Sequence, residues 1–256
     1  MSVLTRITVV LLSLTVASHL AAAQPDNRSI YDKALASDSR LEGDAERDAS
    51  RQPAAVLAFL GITPGMHVLD MFSGGGYYAE IFANVVGPDG SVVAHSNKAY
   101  LQFVGEEFVK RYGGGRLPNV DILMAENNKL RLDAGQFDAV FMGLAYHDTY
   151  WVNPESGWPE IDRGKMNAEI FKALKPGGIL GITDHYAAAG TSTDTVGDLH
   201  RIDRAIVIAD FEAAGFVLVD SSDVLRNADD DHSKSVFAPD LRGKTDRFAL
   251  KFRKPK

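Results

Sequence analysis

The sequence predicts an α/β domain built on a doubly wound, mostly parallel seven-stranded sheet whose last strand runs antiparallel. Three observations predict it. From His67 onward, apolar runs of strand length alternate with runs of helical periodicity. A glycine-rich turn, Ser73-Gly74-Gly75-Gly76, follows the first strand, and two strand-like runs end the chain with no strong helix between them.

The first helix of the domain follows Pro53, where Val56, Leu57, Phe59 and Leu60 supply an apolar stripe and Gly61 stops it; Thr63-Pro64-Gly65 is turn chemistry. Strands are expected at 67–72, 91–95, 120–124, 137–142 and 179–183, with helices at 77–86, 100–112 and 166–174 between them. Gly87-Pro88-Asp89-Gly90, the run Gly113 to Gly115 and Lys175-Pro176-Gly177-Gly178 punctuate the alternation. A helix around 202–214 ends at Gly215, and the runs 216–220 and 247–252 read as a terminal antiparallel pair.

Ahead of this domain, expected to span 53–256, lie two other segments. Residues 24–52 are polar and charge-rich and read as a lead-in with weak helical patterning, able to act as a lid over a ligand. Residues 1–23 read as a secretory signal: Arg6 precedes an apolar stretch at 7–17, and Ala21-Ala22-Ala23 offers small residues for cleavage before Gln24. That stretch is shorter than the roughly 20 residues a helix needs to cross a bilayer, so no stable membrane anchor is expected after cleavage. A periplasmic or secreted location is the expectation.

Composition narrows the function. With 45% hydrophobic and 24% charged residues the chain has ordinary globular usage, and a formal net charge of -7 argues against a phosphate-backbone footprint, so no nucleic-acid partner is expected. There is no cysteine, which removes disulfides, thiolate ligands, a cysteine nucleophile and a lipoprotein anchor together.

The turn Asp70-Met71-Phe72-Ser73-Gly74-Gly75-Gly76 delivers the first strand into a helix. Glycines there let backbone approach a ligand, and the helix N-terminus adds unpaired N–H groups at the carboxyl edge of the sheet. The runs VLDMFSGGGYYAE at 68–80, FDAVFMGLAYHDTYW at 137–151 and EIFKALKPGGILGITDH at 169–185 resemble the class I S-adenosylmethionine-dependent methyltransferases, in particular a group of poorly characterised predicted methyltransferases. The resemblance covers 53 to the C-terminus. It implies S-adenosylmethionine as cofactor, with Asp70, Phe72, Gly74 and Gly76 at the first turn, Asn97 at the ribose, and Glu126 and Asn127 at the adenine. The chain departs from the pattern twice: Phe72 stands where the family has its first glycine, and His95-Ser96-Asn97 lacks the family's ribose-binding carboxylate.

Polar residues at later strand ends supply candidate chemistry. Tyr146-His147-Asp148 follows the fourth strand, Asp184-His185-Tyr186 the fifth, and Leu199-His200-Arg201 is expected to open the next helix. All three segments fall on the rim that carries Asp70. An imidazole is suited to proton transfer near neutral pH, so His147 is the candidate base, Asp148 or Asp184 its orienting partner, and His185 a second candidate. His147, Asp148, His185 and His200 also offer nitrogen and oxygen donors to a metal, but no short His-x-x-x-His spacing marks them and no metal is assigned from the sequence. The expected activity is methyl transfer to a small-molecule acceptor. The rival expectation is an exported, non-catalytic binding protein that has put the cofactor cleft to another use.

Overall fold

The computed structural model describes residues 28–256; the expected signal segment lies outside the described residues. Three short helices come first: α1 (Arg28–Leu35), α2 (Asp44–Arg51) and α3 (Pro53–Leu60). Proline at the first turn of α3 and Gly61 in the left-handed region at its end, with φ 79°, set its bounds as the sequence indicates. The alternating series follows: β1 (His67–Met71), α4 (Tyr77–Val86), β2 (Ser91–Ser96), α5 (Lys98–Tyr112), β3 (Val120–Met124), β4 (Phe137–Gly143), α6 (Arg163–Ala173) and β5 (Leu174–His185). The chain closes with α7 (Val196–Leu199), α8 (Arg204–Ala213), β6 (Val217–Ser222) and β7 (Arg247–Arg253).

The seven strands form one sheet in the order β3-β2-β1-β4-β5-β7-β6. The β1, β2, β3, β4 and β5 pairings are parallel, while β7 runs antiparallel to both β5 and β6. Because side chains alternate across a strand, each face of the sheet has its own core. Val68, Val92, Ala139 and Phe141 pack with α1, α3 and α4 on one face. Leu69, Met71, Val140, Leu180 and Phe252 pack with α6 and α8 on the other.

Three expectations need correction. Residues 28–52 are more than a polar lead-in, since Tyr31 and Ala34 are buried in the core of the α4 face and the Tyr31 hydroxyl donates to the Ile62 carbonyl at 2.8 Å. Lys175 to Gly178 belong to β5, which starts at Leu174 opposite Phe137 and resumes its register at Ile179 after an irregularity. His200 closes α7 with φ 52° and does not open the next helix, which starts beyond Asp203, the residue whose side chain caps it.

Candidate functional site: the carboxyl edge of the sheet

β1, β4 and β5 deliver their carboxyl ends to one rim. Asp70 pairs with Phe141 across β1 and β4, and Gly143 with Thr183 across β4 and β5. Past β4 the backbone turns through Leu144, with φ 58°, into a short 3-10 segment, His147–Tyr150. That turn sets His147 directly against the end of β5. Its backbone N–H donates to Asp184 Oδ2 at 2.9 Å and its Nδ1 lies 2.7 Å from Asp184 Oδ1.

On its other side His147 Nε2 is 3.2 Å from Asp148 Oδ1, and His200 Nδ1 is 3.4 Å from the same oxygen. The Tyr100 hydroxyl donates to Asp148 Oδ2 at 2.6 Å. Ring centroids of His185 and His200 lie 5.8 and 5.5 Å from that of His147, so the three histidines expected on this rim do converge. The open choice of carboxylate resolves into both: Asp184 holds one nitrogen of His147 and Asp148 faces the other.

The electrostatics alter the expected role of His147. Burial pulls its imidazole down, but the carboxylates of Asp148 and Asp184 outweigh burial and hold it well above the usual range. Burial likewise pushes Asp148 up, and His147 overcomes this to hold it well below a normal carboxylate. Two carboxylates against one ring favour its protonated form, which weakens the case for His147 as a free base. His185 is the opposite case: burial first, then Arg247 and His147, drive it well below the usual range, and its Nδ1 sits 2.7 Å from the Thr245 hydroxyl. It is a buried neutral ring.

At the first turn, Phe72 takes φ 53°, and its ring packs against His95 and Tyr100 at centroid separations of 5.7 and 5.1 Å. Asp70 is buried and its Oδ2 has no hydrogen-bond partner among the described residues. Burial pushes this carboxyl up to about 7, against the Ser73 hydroxyl and the Ala79 N–H. Gly74 and Gly76 have φ 58° and 77°. The turn is covered by α5: a Cβ on Gly75 would meet the Glu107 carboxylate, and one on Gly76 the Tyr112 hydroxyl. The Arg111 Nε donates to the Gly75 carbonyl at 2.8 Å, while its guanidinium is buried against Asp44 of α2 and Glu80 of α4.

Asn97 caps α5 through the Tyr100 N–H, and its amide donates to Asn127 Oδ1 at 2.9 Å. The two amides border a cavity of about 260 Å³ that is also lined by Glu126, Trp158 and Ile161. A larger open depression, about 880 Å³, lies between α2 and α5 among Glu46, Arg47, Glu106, Glu107 and Lys110.

A parallel sheet of order 3-2-1-4-5 extended by an antiparallel β7 inserted before β6 decides the fold. This is the class I methyltransferase fold. Among solved structures, a methyltransferase-fold protein described as S-adenosylmethionine-dependent, from Aquifex aeolicus, superposes with TM-score 0.55 at 23% identity over 84% of this chain and all of its own. The (4+2)-cyclase SpnF superposes with TM-score 0.55 at 20% identity over 86% of each chain, so the same methyltransferase fold also carries a protein named for another reaction.

The family model for protein-L-isoaspartate(D-aspartate) O-methyltransferase matches residues 29–150. A protein-L-isoaspartate O-methyltransferase from Triticum aestivum is 33% identical over 46% of this chain and 45% of its own length. A ubiquinone/menaquinone biosynthesis C-methyltransferase from Pseudoalteromonas translucida is 26% identical over 48% and 44%. The chain thus spans less than half the length of these curated relatives. The fold and the matches imply S-adenosylmethionine as the cofactor. The family match takes in the glycine turn and His147 but stops short of Asp184, His185 and His200.

The donor set suits that cofactor. An unpartnered buried carboxylate oxygen beside a glycine turn matches the ammonium of its amino-acid end, and an amide-edged cavity with an indole matches an adenine. The space over the turn is held by α5, whose Tyr100 Cδ1 lies 3.8 Å from where a Gly74 Cβ would stand, so a ligand that touches this backbone has to displace it. Sequence reasoning missed Tyr100 and Arg111. Nothing in their local pattern separates a tyrosine whose hydroxyl reaches 48 residues along the chain from one that only fills a core.

Proposed function

We propose that this protein transfers a methyl group from S-adenosylmethionine to a small-molecule acceptor bound at the His147 cluster. One relationship carries the reading: Tyr100 packs on Phe72 at the glycine turn and donates its hydroxyl to Asp148, so the cofactor turn and the polar cluster lie one side chain apart. Asp70, Gly74 and Gly76 would hold the amino-acid end of the cofactor and Asn97, Glu126 and Asn127 its adenosine. Bound there, S-adenosylmethionine supplies an electrophilic methyl group. The chain's part is to fix the acceptor in line and exclude water, and Asp184 fixes His147 for this through two hydrogen bonds. A small acceptor is favoured over a protein one because His147 is only 3% exposed.

A binding protein without methyl transfer is the second reading. Phe72 in place of glycine and the absence of a carboxylate at the end of β2 favour it. Calorimetry with S-adenosylmethionine and its demethylated product separates the two. Binding of both, weakened in Asp70→Ala by about 1–3 kcal/mol, supports the enzyme; a folded protein that takes neither at millimolar concentration sinks it. Export is part of the proposal, resting on the pattern at 6–23, and the processed chain should then begin at Gln24 on N-terminal sequencing. A mature chain that keeps 7–17 removes that part.

A further inference from the structure

We propose that His147 Nε2, Asp148 Oδ1 and His200 Nδ1 form a binding site for one divalent first-row transition-metal ion. Each of the three residues offers a donor atom, and the three atoms lie within 4.8 Å of one another. The two separations to Asp148 Oδ1, 3.2 and 3.4 Å, match the roughly 3.0–3.4 Å between neighbouring ligands that each stand about 2.1 Å from a common ion.

The surroundings are those of a ligand set and not of a chance cluster. A metal-bound histidine characteristically gives its second nitrogen to a carboxylate, which fixes the ring and its tautomer. Here Asp184 takes His147 Nδ1 at 2.7 Å, so Nε2 is the nitrogen left for a metal. Asp148 is oriented separately, through its other oxygen, by the Tyr100 hydroxyl at 2.6 Å. His200 is set by its left-handed backbone at the end of α7, with its ring against Trp151 and Phe237 at centroid separations of 5.6 and 4.8 Å. Three ligands, each with its own outer support, converge from the end of β4 and the end of α7.

The donor types choose the ion. Two imidazoles and one carboxylate suit Zn²⁺, Fe²⁺, Mn²⁺ or Co²⁺, whereas Mg²⁺ and Ca²⁺ prefer an all-oxygen shell. Three protein ligands leave at least one position open. Resting on the methyl-transfer reading, that position takes the acceptor's oxygen: the ion lowers the pKa of a bound hydroxyl, whose proton passes to solvent, and His147 then serves as a ligand and not as the base.

The full chain, stripped with a chelator, is titrated with Co²⁺ and Zn²⁺ by calorimetry and by visible absorption of the Co²⁺ form. One equivalent should bind, Zn²⁺ should displace Co²⁺, and Zn²⁺ should raise Tm while Mg²⁺ at the same concentration should not. His200→Asn, which keeps a residue tolerant of the left-handed backbone, and Asp148→Asn should each weaken binding at least tenfold, with folding checked by circular dichroism. His232→Asn, at the separate His232–Asp246 pair, should leave binding unchanged. No binding to the folded chain overturns the site, as does one equivalent that survives both site variants or is lost in His232→Asn. Metal binding without methyl transfer keeps the site and removes the function proposed for it, so the two failures are distinguishable.

Discussion

Asp184 grips His147 twice, its Oδ2 accepting the backbone N–H at 2.9 Å and its Oδ1 lying 2.7 Å from ring Nδ1, so one carboxylate fixes both the position of the residue and the rotation of its ring. Oδ1 also accepts the His185 N–H at 2.8 Å. Asp184→Asn puts an amide donor among donors and leaves a buried cation with one anion fewer. The expected cost is about 3–5 kcal/mol of stability by urea unfolding, the range for breaking a buried ion pair. A variant within 0.5 kcal/mol, on the order of an ordinary surface change, would show that the clamp contributes little.

Asp70 should make stability fall with rising pH. Burial lifts it to about 7 in the folded chain, while an unfolded aspartate titrates near about 4, so the folded state holds a proton the unfolded state gives up. This contribution is complete below about pH 4 and is lost as pH rises through about 7. Asp70→Asn keeps the shape without the charge. The variant should be more stable than the parent at pH 8 by about 2–4 kcal/mol, with the gap closing toward pH 4. Equal slopes of stability against pH in the two proteins would rule Asp70 out as their source.

Gly74 and Gly76 are both left-handed, but they should not tolerate alanine equally. At Gly74 a Cβ finds its nearest neighbour at 3.6 Å, an ordinary contact, so Gly74→Ala should cost only the backbone term of about 1–2 kcal/mol. At Gly76 it falls 2.3 Å from the Tyr112 hydroxyl, and Gly76→Ala should cost more. Tyr112→Leu removes that oxygen and the ring carbon behind it, which would lie 2.7 Å from the same Cβ. In its background the Gly76→Ala penalty should shrink, and a double-mutant cycle by thermal unfolding that shows additive costs would place the strain elsewhere.

Arg111 should be the most sensitive position away from the cluster. Its guanidinium is fully buried, bonded to Asp44 and Glu80 and facing Glu107, and so joins α2, α4 and α5 behind the glycine turn. Arg111→Met takes the shared, fully buried cation from Asp44 and Glu80, leaving Asp44 only Arg47 and Glu80 only Arg116 as cationic partners. Limited proteolysis should then cut first within 36–52, and stability should drop by about 3–5 kcal/mol. An unchanged cleavage pattern would mean that α2 is held by its other contacts.

The sheet was legible because its signals are local and repeated: strand-length apolar runs, Gly61 after α3, and the Gly-Pro-Asp-Gly turn before β2 each act within a few residues. The rim was legible as well, since a parallel sheet has to bring the ends of β1, β4 and β5 together, which puts Asp148 and Asp184 both within reach of His147 and leaves the choice between them open. What stayed hidden depends on contacts between distant segments. Tyr31 reads as part of a polar stretch yet is 1% exposed, because a single ring is enough to dock α1 on α3 and α4. The partner of His147 stayed open for the same reason: the sequence offers Asp148 or Asp184, and the fold sets both against the ring at once.

The strand order has a consequence for synthesis. β7 lies between β5 and β6, so β6, at 217–222, has no neighbour in the sheet until residues 247–253 have left the ribosome, and one edge of β5 stays open until then. A growing chain can assemble five strands but cannot cover Leu180 or Ile182, which pair with Phe252 and Leu250. Closure comes as a single late event in which one strand zips two others at once. Until then the nascent chain presents an unfinished, binding-competent edge to whatever factors receive it.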